Sequence, residues 1–163
     1  MNKHISVCFV AFILLMLFSG CKKEIGFSTV ISADLLLLIE NEQGVDFLDP
    51  AVDGHLDISR INHYYLIDGQ KILQYHANLD APKMMKIVYR EELGRYGLLV
   101  FLNVHGEHES YNSSLIEYDG FPADTIRIQL NNSSDPYLNM GYSKVWINGE
   151  MQHHLSQPIV LVK

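Results

Sequence analysis

The chain has 163 residues, 48% of them hydrophobic and 19% charged, with a formal net charge of −7 at pH 7. That hydrophobic share suffices for one packed domain and excludes a disordered, low-complexity chain. An acidic chain without a Lys/Arg cluster lacks the basic footprint that nucleic-acid binding requires, so no nucleic-acid partner is expected.

The first predicted element is a leader. Lys3 and His4 precede a nearly unbroken apolar run from Ile5 to Phe18. A membrane-spanning helix needs about 20 apolar residues, whereas the core of a signal peptide takes about 7–15 and ends at small residues. This run fits the second description. Ser19 and Gly20 are the small residues, and Cys21 follows them directly. The stretch Leu17-Phe18-Ser19-Gly20-Cys21 resembles the lipobox of bacterial lipoproteins. It departs at one place: Phe18 stands third before the cysteine, where that family usually carries Leu. The resemblance implies cleavage before Cys21, with acylation of its thiol and of the freed amine. Residues 1–20 are then a signal peptide, 21–30 a lipidated cysteine with a short tether, and 31–163 a single domain. Two or more acyl chains give stable anchoring where one does not. Cys21 is thus a membrane anchor, and Cys8 leaves with the leader. The domain must therefore hold together without a disulfide, although export permits one. Loss of Lys3 with the leader takes the net charge to about −8.

Beyond the tether the pattern is all β. Asp34 to Gly44 opens with five consecutive apolar residues and closes with Asn41 and Gly44, which suits a buried strand. The stretch from Val45 to Asp57 is a loop with Asp49-Pro50 and Asp53-Gly54 turns. Two runs rich in β-branched and aromatic residues flank Asp68-Gly69, a type I′ hairpin signal. Lys86 to Tyr89 and Leu98 to Val104 form another pair turning near Gly94. A short helix over Pro82 to Leu93 is the alternative, but Glu91-Glu92 interrupts its apolar stripe. In "DTIRIQL", Ile126, Ile128 and Leu130 point one way while Thr125, Arg127 and Gln129 point the other, a half-buried antiparallel strand. "YSKVWINGEMQHH" gives a strand followed by the Asn148-Gly149 turn, and "PIVLVK" a terminal strand with Pro158 at its start. Seven to nine short strands with turns between them suggest a sandwich or an open barrel, and the expectation is an antiparallel β-sandwich of immunoglobulin-like or transthyretin-like type.

The lipobox followed by "FLDPAVDG", "YYLIDGQK", "DTIRIQL" and "KVWINGE" resembles a group of small uncharacterised envelope lipoproteins from Bacteroidota. The resemblance implies an all-β domain lipid-anchored at the outer membrane, facing the periplasm or the cell surface. Glu24 after Lys22 and Lys23 does not decide between those two faces. The resemblance also implies that Asp124-Thr125-Ile126 is an O-glycosylation triplet centred on Thr125; the same residues suit a strand start.

Candidate chemistry is sparse. His105, Glu107, His108 and Glu109 cluster after a strand, with ligand types that suit zinc, and His153 and His154 lie on another loop. The spacing is not that of a helical His-Glu-x-x-His site and fixes no third ligand, so an exposed polar loop is the favoured reading and no cofactor is expected. Glu40, Glu42 and Asp46 around Gly44 faintly resemble a calcium loop but lack its terminal bidentate Glu. No Gly-x-Ser-x-Gly elbow occurs. Trp146 with Tyr64, Tyr65, Tyr137 and Tyr142 offers a glycan-stacking face, against the simpler expectation that Trp146 anchors the core. The leading expectation is a non-enzymatic envelope module that binds a protein or a glycan. The competing one is a small metal-dependent hydrolase using His105, Glu107 and His108.

Overall fold

The computed structural model describes residues 33–104, 111–131, 141–153 and 158–163. Among these residues ten strands form two sheets. The smaller has β10 (Ile159–Val162), β1 (Asp34–Glu40), β5 (Arg95–Phe101) and β4 (Met85–Arg90), in that order. The larger has β3 (Gln70–Leu73), β2 (Ile61–Ile67), β6 (Tyr111–Tyr118), β7 (Phe121–Leu130), β8 (Tyr142–Ile147) and β9 (Glu150–Gln152). The chain passes between the sheets four times, after β1, β3, β5 and β9, so neither layer is a continuous stretch of sequence. Among the described residues the one helical element is a 3-10 turn at Ile58–Arg60, and no helix is long and apolar enough to cross a membrane.

Alternation builds the core. Leu35, Leu37 and Ile39 of β1 point inward with Leu98 and Val100 of β5. They meet Ile116 of β6, Ile126, Ile128 and Leu130 of β7, and Val145 and Ile147 of β8. Successive side chains of a strand face opposite ways, so these strands give alternate residues to this layer, while β3 and β9 give none to it. A fully buried Leu or Ile contributes about 1.5–3 kcal/mol.

The expected turns are present. Asp68 and Gly69 have φ of 50° and 74°, and Asn148 and Gly149 have 51° and 87°, as type I′ hairpins demand. The strand from Lys86, not the alternative helix, joins β5 through Gly94, whose φ is 63°. Two features differ from expectation. The terminal strand β10 lies parallel to β1, with Leu37 opposite Ile159 and Glu40 opposite Val162. And β6, which no sequence pattern announced, is an inner strand of the larger sheet, paired with both β2 and β7.

A buried ion pair fixes the end of β10. Lys163 Nζ lies 2.6 Å from Asp124 Oδ2, and each side chain is only 5% exposed. The ammonium also donates to Pro122 O at 2.9 Å and sits 4.6 Å from the centre of the Tyr118 ring. Asn148 Nδ2 donates to the other carboxylate oxygen of Asp124 at 2.8 Å. This cluster ties the smaller sheet to the β6–β7 and β8–β9 turns. Removing one partner of such a pair costs about 3–5 kcal/mol, because the other charge stays buried alone. Lys163→Met is expected to lower unfolding free energy in urea titration by that amount, and adding Asp124→Asn to recover most of it. Equal losses in the single and double variants would refute the coupling.

Candidate functional site

The outward face of the larger sheet carries a grouping of aromatic and cationic side chains. Strand pairing dictates it. Because Val145 and Ile147 point into the core, Trp146 between them must point out. By the same rule Ile126 and Ile128 turn Arg127 outward, and Asn112 turns Tyr111 outward. Register then places Arg127 opposite Trp146 and opposite Ser113, while Gln129 lies opposite Tyr111 and opposite Lys144. Met151 of β9 extends the Arg127–Trp146 row.

The side chains close over β7. The Tyr111 and Trp146 rings meet edge-on, centroids 5.7 Å apart at 62°. The Arg127 guanidinium carbon lies 4.2 Å from the Tyr111 centroid and 5.8 Å from that of Trp146. Tyr111 and Trp146 are half-buried, and Arg127 and Lys144 are exposed. Among the described residues neither cation has a carboxylate partner. The other half of the face is arranged differently. Lys71 stacks on Tyr64, 4.1 Å from its centroid, and is also paired with Glu117. That cation is neutralised within the fold, whereas the contacts of Arg127 among the described residues on this face are with aromatic rings.

The simple expectation for Trp146 is therefore corrected: it is not a core residue but part of this outer face. The remaining candidates scatter. Tyr64 is half-exposed on the same face, and Tyr65 is buried, its hydroxyl donating to Phe101 O at 3.0 Å. Tyr142 is half-buried and donates to Asp34 O at 2.9 Å. Thr125 is exposed, but Asp124 of its triplet is the buried partner of Lys163. Cys21, His105, Glu107, His108, Glu109, Tyr137 and His154 lie outside the described residues; His153, which is described, is exposed. Among the described residues no three His, Cys, Asp or Glu side chains gather as a metal ion would need. The faint calcium loop is occupied from within. Arg95 pairs with Glu40 at 2.7 Å and lies 3.9 Å from Asp46. Asp46 accepts the backbone N–H of Leu48 and of Tyr96, each at 2.9 Å.

Two other polar groupings do not assemble a reactive site. The loop from Pro50 to His55 forms an open depression with Asp57 and Arg60. Its groups serve the loop itself: Arg60 donates to Gly54 O and His55 O, and Asp57 caps the 3-10 turn through Ser59 N. The second grouping is internal. At one end of the sandwich, side chains of β2 and β6 donate to carbonyls beside the smaller sheet. Asn112 Nδ2 reaches Asn103 O at 2.7 Å, and His63 Nδ1 lies 3.3 Å from Lys83 O. A carbonyl only accepts, so the His63 proton sits on Nδ1. Its Nε2 is buried without a partner among the described residues.

Comparison with known proteins finds no matching family model, no matching curated protein and no matching solved structure.

Burial lowers the His63 pKa to about 4, against the carbonyl contacts that raise it. Its folded value lies below its unfolded value of about 6.5, so the unfolded chain takes up the proton first as pH falls. His63 therefore supports the fold fully above pH 6.5 and loses that contribution between about pH 6.5 and 4, amounting to about 3 kcal/mol at low pH. Urea titrations across that range should show this fall, and His63→Leu should flatten it by a similar amount. An unchanged pH slope in His63→Leu would assign the fall to other groups.

Proposed function

We propose that this chain is a lipid-anchored, non-enzymatic module of the bacterial cell envelope. It presents the outer face of its six-stranded sheet to an envelope partner, a protein or a glycan. The observation that carries this reading is the Tyr111–Arg127–Trp146 stack: a half-exposed aromatic pair holds a guanidinium that no carboxylate of the described residues neutralises. Aromatics and Arg are the residue types enriched where protein surfaces bind. Anchoring rests on the leader and on Cys21. Two or three acyl chains on that residue hold the domain to the outer membrane, on its periplasmic or its surface side, and the short tether keeps the sheets near the lipid.

Two experiments test this. In cells fed labelled palmitate, the wild-type chain should incorporate label into the membrane fraction and Cys21→Ser should incorporate none. Equal labelling of both removes the anchor. Separately, a benzophenone amino acid at Ser113, beside Arg127, should yield cross-linked adducts in irradiated intact cells. The same group at Val88, on the outward face of the smaller sheet, should yield fewer. Adducts that are missing at Ser113, or no more abundant there than at Val88, would sink the assignment of this face.

A further inference from the structure

The charge and shape of this face narrow what it binds. The chain as a whole is acidic, with a formal net charge of −7. Yet Arg127 and Lys144 stand on adjacent strands with no carboxylate of the described residues beside them. Lys71 shows the contrast, since it shares the same sheet face and is paired with Glu117. An unneutralised guanidinium is complementary to an anion, and its planar fork matches a carboxylate with two parallel hydrogen bonds. Stacking on Tyr111 at 4.2 Å places that charge before a ligand arrives, so little side-chain freedom is lost on binding.

At Arg127 and Trp146 the backbone excludes a peptide that adds a strand. A peptide that binds a sheet by adding a strand needs an unpaired edge. Here Arg127 lies in register between Ser113 of β6 and Trp146 of β8, and Trp146 between Arg127 and Met151 of β9, so both positions are flanked by paired strands. Recognition at Arg127 and Trp146 must therefore use side chains alone. A half-exposed indole beside a positioned cation on a pleated sheet surface suits a flat ring that has an apolar face and an acidic substituent.

We propose that this cross-strand group binds a carboxylate-bearing saccharide, with Trp146 receiving the C–H face of a sugar ring and Arg127, supported by Lys144, taking its carboxylate. The inference rests on the reading of this face as the binding surface and gives it a ligand class. Strand register sets the spacing of the two cations: Arg127 is opposite Trp146 and Gln129 opposite Lys144, so Arg127 and Lys144 lie diagonally across β7 and β8, at about 7–8 Å between backbones, a span that one acidic sugar or two successive ones can bridge.

The test uses the acylated full-length chain in detergent, with oligogalacturonate as probe, its carboxyl-reduced neutral counterpart, and poly-glutamate. Calorimetric titration should show oligogalacturonate binding at least about tenfold tighter than the other two, and weakening as salt rises from 50 to 500 mM. Arg127→Gln should weaken it about tenfold or more, Arg127→Lys less, and Trp146→Ala about tenfold, with melting temperatures recorded for each. Equal affinity for the neutral polymer removes the role of Arg127, and equal affinity for poly-glutamate removes the sugar. No binding of oligogalacturonate overturns the inference. If adducts still form at Ser113 in cells, only the ligand class has failed; if they do not, the reading of the face has failed as well.

Discussion

Everything in this domain depends on two sheets burying one shared apolar layer. The described fold has no disulfide to fall back on, because the only cysteines are Cys8 and Cys21, outside the described residues. Leu37, Ile39, Leu98 and Val100 of the smaller sheet close against Ile116, Ile126, Ile128 and Val145 of the larger. Since the side-chain period of a strand is two, a slip of one residue would turn each of these sets out to solvent. The core therefore fixes register, and register fixes what lies on the outside. The juxtaposition of Tyr111, Arg127 and Trp146 follows from which residues had to point inward.

The apolar layer does not run the whole length of the sandwich. At one end Asn112, Tyr65 and His63 bridge the sheets by bonding to carbonyls of Asn103, Phe101 and Lys83. These carbonyls lie just before β4 and at or just past the end of β5, so side chains of the larger sheet bond directly to backbone at the edge of the smaller one. At the other end the Lys163–Asp124 pair plays a similar part with full charges, shielded by the Tyr118 ring. Burial and the Asp124 carboxylate push the Tyr118 hydroxyl well above the ordinary tyrosine pKa, so it stays neutral there. The two ends thus use directional contacts that favour one arrangement of the sheets, while the middle supplies most of the burial.

The loops and faces divide the remaining work. The acidic loop after β1 is closed by Arg95, which joins Glu40 and Asp46 across two strands. Lys83 donates to Ile58 O, Ser59 O and Ile61 O, holding the 3-10 turn against the segment before β4. Cations that serve the architecture are thus surrounded by acceptors from the chain itself. Arg127 is set apart by its aromatic neighbours, which orient it without cancelling its charge. That contrast, more than the number of aromatic residues, distinguishes this face from the rest of the sheet.

Local chemistry made much of the fold legible. Asp68-Gly69 and Asn148-Gly149 specify type I′ turns because few other pairs tolerate positive φ at both positions, and strict alternation in "DTIRIQL" sorts inward from outward residues before any contact is known. The same alternation in Val145-Trp146-Ile147 could have placed Trp146 outside; aromatic size favoured the core and misled. Strand β6 escaped notice because Asn112 and Ser114 face inward, breaking the apolar pattern, and only the carbonyl of Asn103 makes Asn112 at home there. Residue order along the chain settled which segments are extended, where they turn and which residues share a face, since these depend on neighbours one or two positions away. Tertiary structure alone decided that β10 runs parallel to β1, that Lys163 finds Asp124, and that Tyr111, Arg127 and Trp146 meet. Those outcomes join residues far apart in the chain, and the joint burial of both sheets selects among pairings that local pattern leaves equally open.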